Sequence, residues 1–171
     1  MTLANLASRF SRPRRHAARA PGLYYVASGA DWVIDWIGGT ITRGITEQFG
    51  YRAQVTRRPQ RLSGQLIHYG ELWLFLASLG SAHNARNTII ATVFHGDRSE
   101  QFPDLKEGTE RFLAHAHVPA RIVTASGIME ERLIQWGIPS EKVIRIPLGV
   151  DRATFRPASD VERRERRKHL G

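Results

Sequence analysis

Four short apolar runs of the sequence end in polar residues that could do chemistry together. The polar residues at the ends of these runs are Ser28-Gly29, the segment from His68 to Glu71, the segment His95-Gly96-Asp97, and Ser126. An imidazole can relay a proton near neutral pH, and carboxylates and hydroxyls can hydrogen-bond the oxygens of a sugar or a phosphate. Because ligands of parallel sheets bind at the carboxyl ends of the strands, we expect these residues to form a polar site at one sheet edge.

The elements that must position these residues follow an alternating pattern. Strands are predicted from short apolar or β-branched runs at residues 23–27, 52–56, 65–68, 88–94, 121–124 and 142–146. Helices are predicted at residues 33–49, 72–79, 107–115 and 127–136, with Gly50 and Gly137 as stops. Continuously apolar strands alternating with helices predict a parallel sheet covered on both faces. The predicted fold class is α/β, a Rossmann-like doubly wound parallel sheet.

Each candidate residue also has a simpler structural interpretation. His95 could position a substrate or be satisfied by the backbone of its loop, and Gly96 could allow close backbone approach or form a turn. Asp97 could bind hydroxyl groups or begin the polar loop. Ser126 could bind a hydroxyl or phosphate, or cap the helix predicted from residue 127. His68 and Glu71 could face the same cleft or be solvated.

Several chemistries are excluded by the absence of their residues. The chain contains no cysteine, which rules out disulfide scaffolds, thiolate zinc sites, iron–sulfur clusters and cysteine nucleophiles. It also lacks G-x-G-x-x-G after the first strand, the G-x-x-x-x-G-K-[ST] phosphate loop, H-E-x-x-H and G-x-S-x-G. The sequence therefore indicates neither a dinucleotide fingerprint nor a nucleophile elbow, and it predicts no metal site.

The net charge of +9 comes from the two ends of the chain. Residues 1–21 contain five arginines and no acidic residue, and residues 152–171 contain seven basic and three acidic residues. Residues 22–151 contain thirteen basic and thirteen acidic residues. A neutral core argues against nucleic acid as a partner. We interpret residues 1–21 as a basic disordered tail, although their composition also imitates a mitochondrial transit peptide.

The apolar stretch 72–82 is about half of the roughly 20 residues that a membrane-spanning helix needs. We interpret residues 72–79 as a buried helix, with contact to a membrane surface as the alternative. The N-terminus also lacks the apolar region of a secretory signal. The predicted location is the cytoplasm, with peripheral contact at the inner face of the membrane left open.

The segment 121–157 carries a more specific pattern. A strand ending in Ser126 is followed by Trp136-Gly137-Ile138-Pro139, the pair Lys142-Val143, the segment IPLGVD at 146–151, and Phe155-Arg156-Pro157. This order closely resembles the end of the N-terminal domain in retaining glycosyltransferases of family 4, which have the GT-B architecture. The segment VFHGD at 93–97 is similar to a strand end in one branch of that family, and residues 30–33 to the start of its first helix.

The resemblance implies a division of the chain and of the activity. Residues 22–157 would form the N-terminal, acceptor-side domain of a GT-B fold, and residues 158–171 the linker and the start of a donor-binding domain. In the family, a histidine at the position of His95 faces the reacting sugar. The other residues at the edge would bind substrate: Ser28, Gly29, His68, Glu71, Gly96, Asp97 and Ser126. No metal or cofactor is implied, because the nucleotide-sugar is a co-substrate.

The expected function is transfer of a sugar from a nucleotide-sugar to an acceptor hydroxyl. The expected partners are a glycan or lipid-linked acceptor and a donor domain supplied in cis or in trans. Family members carry two glutamates eight positions apart in that second domain, and no glutamate of this sequence has another eight positions later. The chain alone is therefore expected to be inactive. The alternative is a non-catalytic glycan-binding module or a subunit of a split enzyme.

Overall fold

A computed structural model of the protein describes residues 21–30, 32–149 and 156–170. Six strands of these residues form one all-parallel sheet. The strands are β1 (Leu23–Val26), β2 (Ala53–Thr56), β3 (Leu66–Tyr69), β4 (Thr88–Thr92), β5 (Arg121–Thr124) and β6 (Val143–Arg145). Their order in the sheet is β2-β1-β3-β4-β5-β6. This topology confirms the predicted Rossmann-like α/β fold.

Five α-helices accompany these strands within the described residues. They are α1 (Val33–Phe49), α2 (Leu72–Ala77), α3 (Pro103–Ala114), α4 (Gly127–Gln135) and α5 (Asp160–Leu170). Helix α3 begins earlier than predicted, because Pro103 supplies a preset helical φ at its first turn. None of these helices is both long and apolar enough to cross a membrane. Residues 1–20 of the tail predicted at 1–21, and the motif residues 150–155, lie outside the described part of the chain.

One face of the sheet packs against α2, α3 and α4 and contains the main core. Alternate strand residues point to this three-helix face, including Ile67, Ala91 and Ile122, each of which is fully buried. Phe75 of α2 stacks edge-to-face on Phe112 of α3, with ring centroids 5.9 Å apart. Because each strand is continuously apolar, the residues between these alternate positions must point to the opposite face.

The opposite face, here called the α1 face, is covered only in part. Helix α1 packs over β1 and β2 through Ile34 and Ile37, against Tyr25 and Ala27 of the sheet. On the strands beyond β1, His68, Thr92 and Val123 line an apolar cavity beside α1. Within the described residues, α1 covers this face over β1 and β2, and the strands beyond border the cavity. Burial of the far strands depends on tertiary contacts, which strand composition does not report.

Helix α1 can approach β1 closely because Gly38 lies at the contact. A Cβ atom at Gly38 would overlap the ring of Tyr25, whereas a Cβ atom at Gly39 would meet nothing within 4 Å. The close approach of α1 to Tyr25 therefore requires a glycine at position 38. No such steric constraint requires a glycine at position 39.

The two glycines give a matched pair for a stability test. Gly38→Ala should lower the free energy of unfolding by about 1–3 kcal/mol, because the added methyl displaces Tyr25. Gly39→Ala should raise it by about 0.5–1 kcal/mol, because it restricts the unfolded chain and has open space in the helix. Urea unfolding followed by circular dichroism measures both values. Equal effects of the two substitutions would contradict the close packing of α1 on Tyr25.

Candidate functional site

The candidate site lies where the strand order reverses, at the carboxyl ends of β1 and β3. The chain leaves β1 through α1 to β2 on one side, and then returns past β1 to β3 on the other. In open α/β sheets, the crevice at such a switch point is where ligands bind. Ser28 and Gly29 follow β1, and Gly70 and Glu71 follow β3. His95 lies three residues beyond the end of β4. The structure therefore places these predicted residues at one edge.

Three ionisable side chains interact at this edge. Burial raises the pKa of Glu71, the nearby carboxylate of Asp35 raises it further, and His95 opposes the rise. Asp35 lies in the first turn of α1, where its Oδ1 accepts a hydrogen bond from the Gly29 backbone N–H at 3.1 Å. Two carboxylates near one imidazole form an arrangement that can bind hydroxyl groups and exchange protons with them.

Tyr25 forms the floor of this edge and is almost completely buried, at 1% exposure. Burial raises the pKa of its hydroxyl, and the negative charges of Glu71 and Asp35 raise it further. A Cβ atom at Gly70 would overlap the Tyr25 hydroxyl, so the turn after β3 lies directly over the ring. Tyr25 is therefore neutral and fixed beneath the carboxylates.

A cation lies beside the turn after β1. Gly29 adopts a φ of +74°, and a Cβ atom there would overlap the guanidinium of Arg57, which follows β2. Only glycine tolerates both this backbone conformation and the close approach. The hydroxyl of Ser28 accepts a hydrogen bond from the backbone of Ala30 at 3.3 Å. The edge thus combines acidic groups near α1 and α2 with a basic group near β2.

The segment His95-Gly96-Asp97 divides between the edge and the loop that follows. The His95 side chain is exposed. Gly96 is buried, and its carbonyl accepts a hydrogen bond from Arg132 at 3.2 Å. The carboxylate of Asp97 accepts a hydrogen bond from the Ser99 backbone at 2.6 Å, and the hydrogen bonds from Ser99 lower its pKa. This geometry favours the interpretation of Asp97 as the start of the polar loop.

Ser126 caps a helix, which is the structural alternative to substrate binding that the sequence left open. It is the N-cap of α4, and its hydroxyl accepts a hydrogen bond from the Met129 backbone N–H at 3.1 Å. This bond satisfies one of the unpaired amides at the helix start. The hydroxyl is thus used by the fold, although the residue does lie at the carboxyl end of β5.

His68 does not lie at a strand end, and its predicted position facing the cleft is wrong. Strand β3 extends to Tyr69, which places His68 inside it on the α1 face, at 9% exposure. Its Nε2 is 2.7 Å from the Thr92 hydroxyl, and its ring lies edge-to-face on Tyr25 with centroids 4.9 Å apart. Burial lowers the pKa of His68 to about 4. This histidine therefore supports Tyr25 from below and is neutral at physiological pH.

Tyr25 and Asp35 are the two site residues that sequence reasoning missed. Tyr25 lies within the buried strand β1, and Asp35 lies in the first turn of α1. The signal for Asp35 was a lone carboxylate in a run of apolar residues immediately after the predicted turn. Among the described residues, no group of three or more His, Asp or Glu side chains is arranged to hold a metal ion.

A solved structure shares this fold. HepE from Anabaena, in complex with UDP, superposes with a TM-score of 0.57 at 14% sequence identity, covering 88% of this chain and 50% of the HepE chain. The chain therefore spans about half the length of that protein. Neither a protein-family model nor a curated protein matches the sequence. At this identity the similarity establishes the fold alone.

The buried imidazole of His68 should make stability depend on pH. Its pKa in the folded chain is about 4 and its ordinary value is 6.5, so between these values the unfolded chain binds more protons. The free energy of unfolding should therefore fall as the pH drops from neutral to about 4, by up to roughly 3 kcal/mol from this residue. His68→Gln should abolish that part of the pH dependence. Urea unfolding across this pH range measures it.

The control is His117→Gln, which changes an exposed histidine. This variant should keep the pH dependence of the native chain. If His68→Gln and His117→Gln gave the same profile as the native chain, the buried neutral state of His68 would be disproved.

Proposed function

We propose that this chain is the acceptor-side domain of a retaining glycosyltransferase of family 4 with the GT-B architecture. The observation that carries the proposal is the acidic and imidazole cluster at the switch point of a fold shared with HepE, which was solved with UDP. The order of the motifs between residues 93 and 149 supports the same family. UDP in HepE supports a nucleotide-sugar as the donor class.

In this proposal, the edge binds and orients the acceptor hydroxyl. Glu71, whose pKa is raised by burial and by Asp35, accepts a hydrogen bond from that hydroxyl as it approaches the donor sugar. His95 is exposed at the same edge and hydrogen-bonds hydroxyls of the reacting sugar. Asp35 acts through Glu71, and its own position is fixed by the backbone N–H of Gly29.

The donor lies on a second domain in this proposal. That domain holds the diphosphate of the nucleotide-sugar, and closure brings the donor sugar over the edge that contains Glu71 and His95. No metal is needed from this domain. The acceptor is a glycan or a lipid-linked glycan, and the donor-binding domain is supplied in cis or in trans.

Acceptor binding gives the first test. Carbohydrates from a glycan array that bind the 171-residue chain should bind Glu71→Gln and His95→Ala about 5–10-fold more weakly. The first variant replaces a charged hydrogen-bond acceptor with a weaker neutral one, and the second removes a hydrogen bond to a hydroxyl. Glu131→Gln and His117→Ala change exposed residues of the same types and should leave binding unchanged. Isothermal titration measures the affinities. Equal binding by all four variants would refute the role of the edge.

Transfer distinguishes the enzyme from a glycan-binding module. The chain alone should release no UDP from a UDP-sugar in the presence of a bound glycan, and a donor-binding domain added in trans should restore transfer. UDP release by the isolated chain would contradict the proposed division between two domains. Binding without transfer, even with an active donor domain present, would favour the non-catalytic alternative.

A further inference from the structure

The described residues enclose an elongated cavity of about 690 Å³ on the α1 face. His68 and Thr92 of the sheet form part of its floor, and α1 and the segment 146–149 line its sides. This volume lies within the range of small-molecule sites. The stretch of α1 that lines the cavity, from Trp36 to Glu47, is about 16 Å long. Both the volume and the length therefore suit one elongated ligand.

The interior of this cavity offers few polar groups to a ligand. The Nε2 of His68 lies 2.7 Å from the Thr92 hydroxyl, so these two buried side chains satisfy each other. Arg43 and Glu47 line the cavity from α1, but both are exposed to solvent. The rest of the lining is mostly aliphatic and aromatic. A sugar or a phosphate would lose hydrogen bonds to water here, whereas an apolar chain would be removed from water at no such cost.

The cavity is continuous with the candidate edge. Tyr25 lines the cavity, and its hydroxyl lies directly beneath Gly70, which precedes Glu71. Phe94 also lines the cavity and immediately precedes His95. Because α1 connects the parallel strands β1 and β2, it runs back from this edge, and the cavity along α1 extends away from the polar residues. A polar site and an apolar cavity therefore meet at Tyr25.

The sides of the cavity carry large apolar side chains that are exposed. Trp36 is 56% exposed, Ile146 is 54% exposed and Leu148 is 58% exposed. Contiguous exposed apolar surface of this kind marks binding sites. An indole, with an apolar ring and a polar N–H, is also the side chain most typical of the boundary between lipid and water. These side chains favour an apolar chain as the ligand.

We propose that this cavity binds the apolar chain of a lipid-linked acceptor, whose polar head group places the reacting hydroxyl at the edge. The inference rests on the proposed function for the role of the edge. It narrows the acceptor from any glycan to an amphiphile, because a free glycan leaves the cavity empty. Glu71 and His95 hold the head group, and the cavity selects the acceptor by its chain.

Chain length gives the main test. The probes are n-hexyl, n-octyl and n-decyl β-D-glucoside, each used below the concentration at which it forms micelles. Their affinity for the full chain should rise about tenfold for every two added methylenes until the cavity is filled, because each buried methylene leaves water. Isothermal titration measures the three affinities.

Two glycines of α1 provide a variant that fills the cavity and a matched control. Gly44 lines the cavity and Gly39 does not, and an added Cβ atom would meet nothing within 4 Å at either position. Gly44→Leu should bind decyl glucoside at least about tenfold more weakly, because its side chain takes the space of several methylenes. Gly39→Leu should bind it as the native chain does. Circular dichroism checks that both variants are folded.

The absence of cysteine allows the ligand to be located by thiol protection. Ile41→Cys introduces a thiol into the lining of the cavity, and Ile128→Cys introduces one at an exposed position on α4. Decyl glucoside at about ten times its Kd should slow the alkylation of Ile41→Cys by N-ethylmaleimide about tenfold, because only the free protein reacts. The alkylation rate of Ile128→Cys should not change.

Failure of this inference can be told apart from failure of the proposed function. Affinities that do not depend on chain length, or equal effects of Gly44→Leu and Gly39→Leu, would overturn the inference, even where glycan binding still depends on Glu71. A dimer in light scattering whose Ile41→Cys thiol is protected without any glucoside would assign the cavity to a second copy. Unchanged binding of decyl glucoside by Glu71→Gln and His95→Ala would instead overturn the role of the edge, and with it the proposed function.

Discussion

The position of the candidate site depends on the close packing of one side chain, Tyr25, between two glycines. Gly38 of α1 lies against its ring, and Gly70, at the turn after β3, lies against its hydroxyl. Any side chain at either position would push an element away from β1. The first contact brings the start of α1, with Asp35, to the sheet edge, and the second brings Glu71 to the same edge. His68 completes the enclosure from the neighbouring strand.

This packing also sets the electrostatics of the edge. Glu71 is partly desolvated because its turn lies on a buried ring, and Asp35 is held nearby by the backbone N–H of Gly29. Two carboxylates that cannot move apart make protonation of one of them easier. His95 opposes this effect from the adjacent strand end. The proton affinity of the cluster is thus a consequence of backbone geometry, which two glycines permit.

Much of the fold could be predicted from the sequence because its local signals agree. Gly50 and Gly137, the predicted helix stops, adopt left-handed conformations directly after α1 and at the end of α4. The site was predicted less well. An error of one residue at the end of β3 moves His68 from the edge to a sheet face, because side chains alternate along a strand. Tyr25 and Asp35 act through contacts between elements, and a single sequence does not report these.

The two faces of the sheet differ in how completely helices cover them. Three helices cover one face because each connects its strand to the next and returns over the same side. On the other face α1 covers β1 and β2, and the connection from β2 to β3 contains a short 3-10 turn, Pro59–Arg61, and no α-helix. The far strands therefore border the apolar cavity beside α1, because no helix of the β2-to-β3 connection lies over β3 and β4.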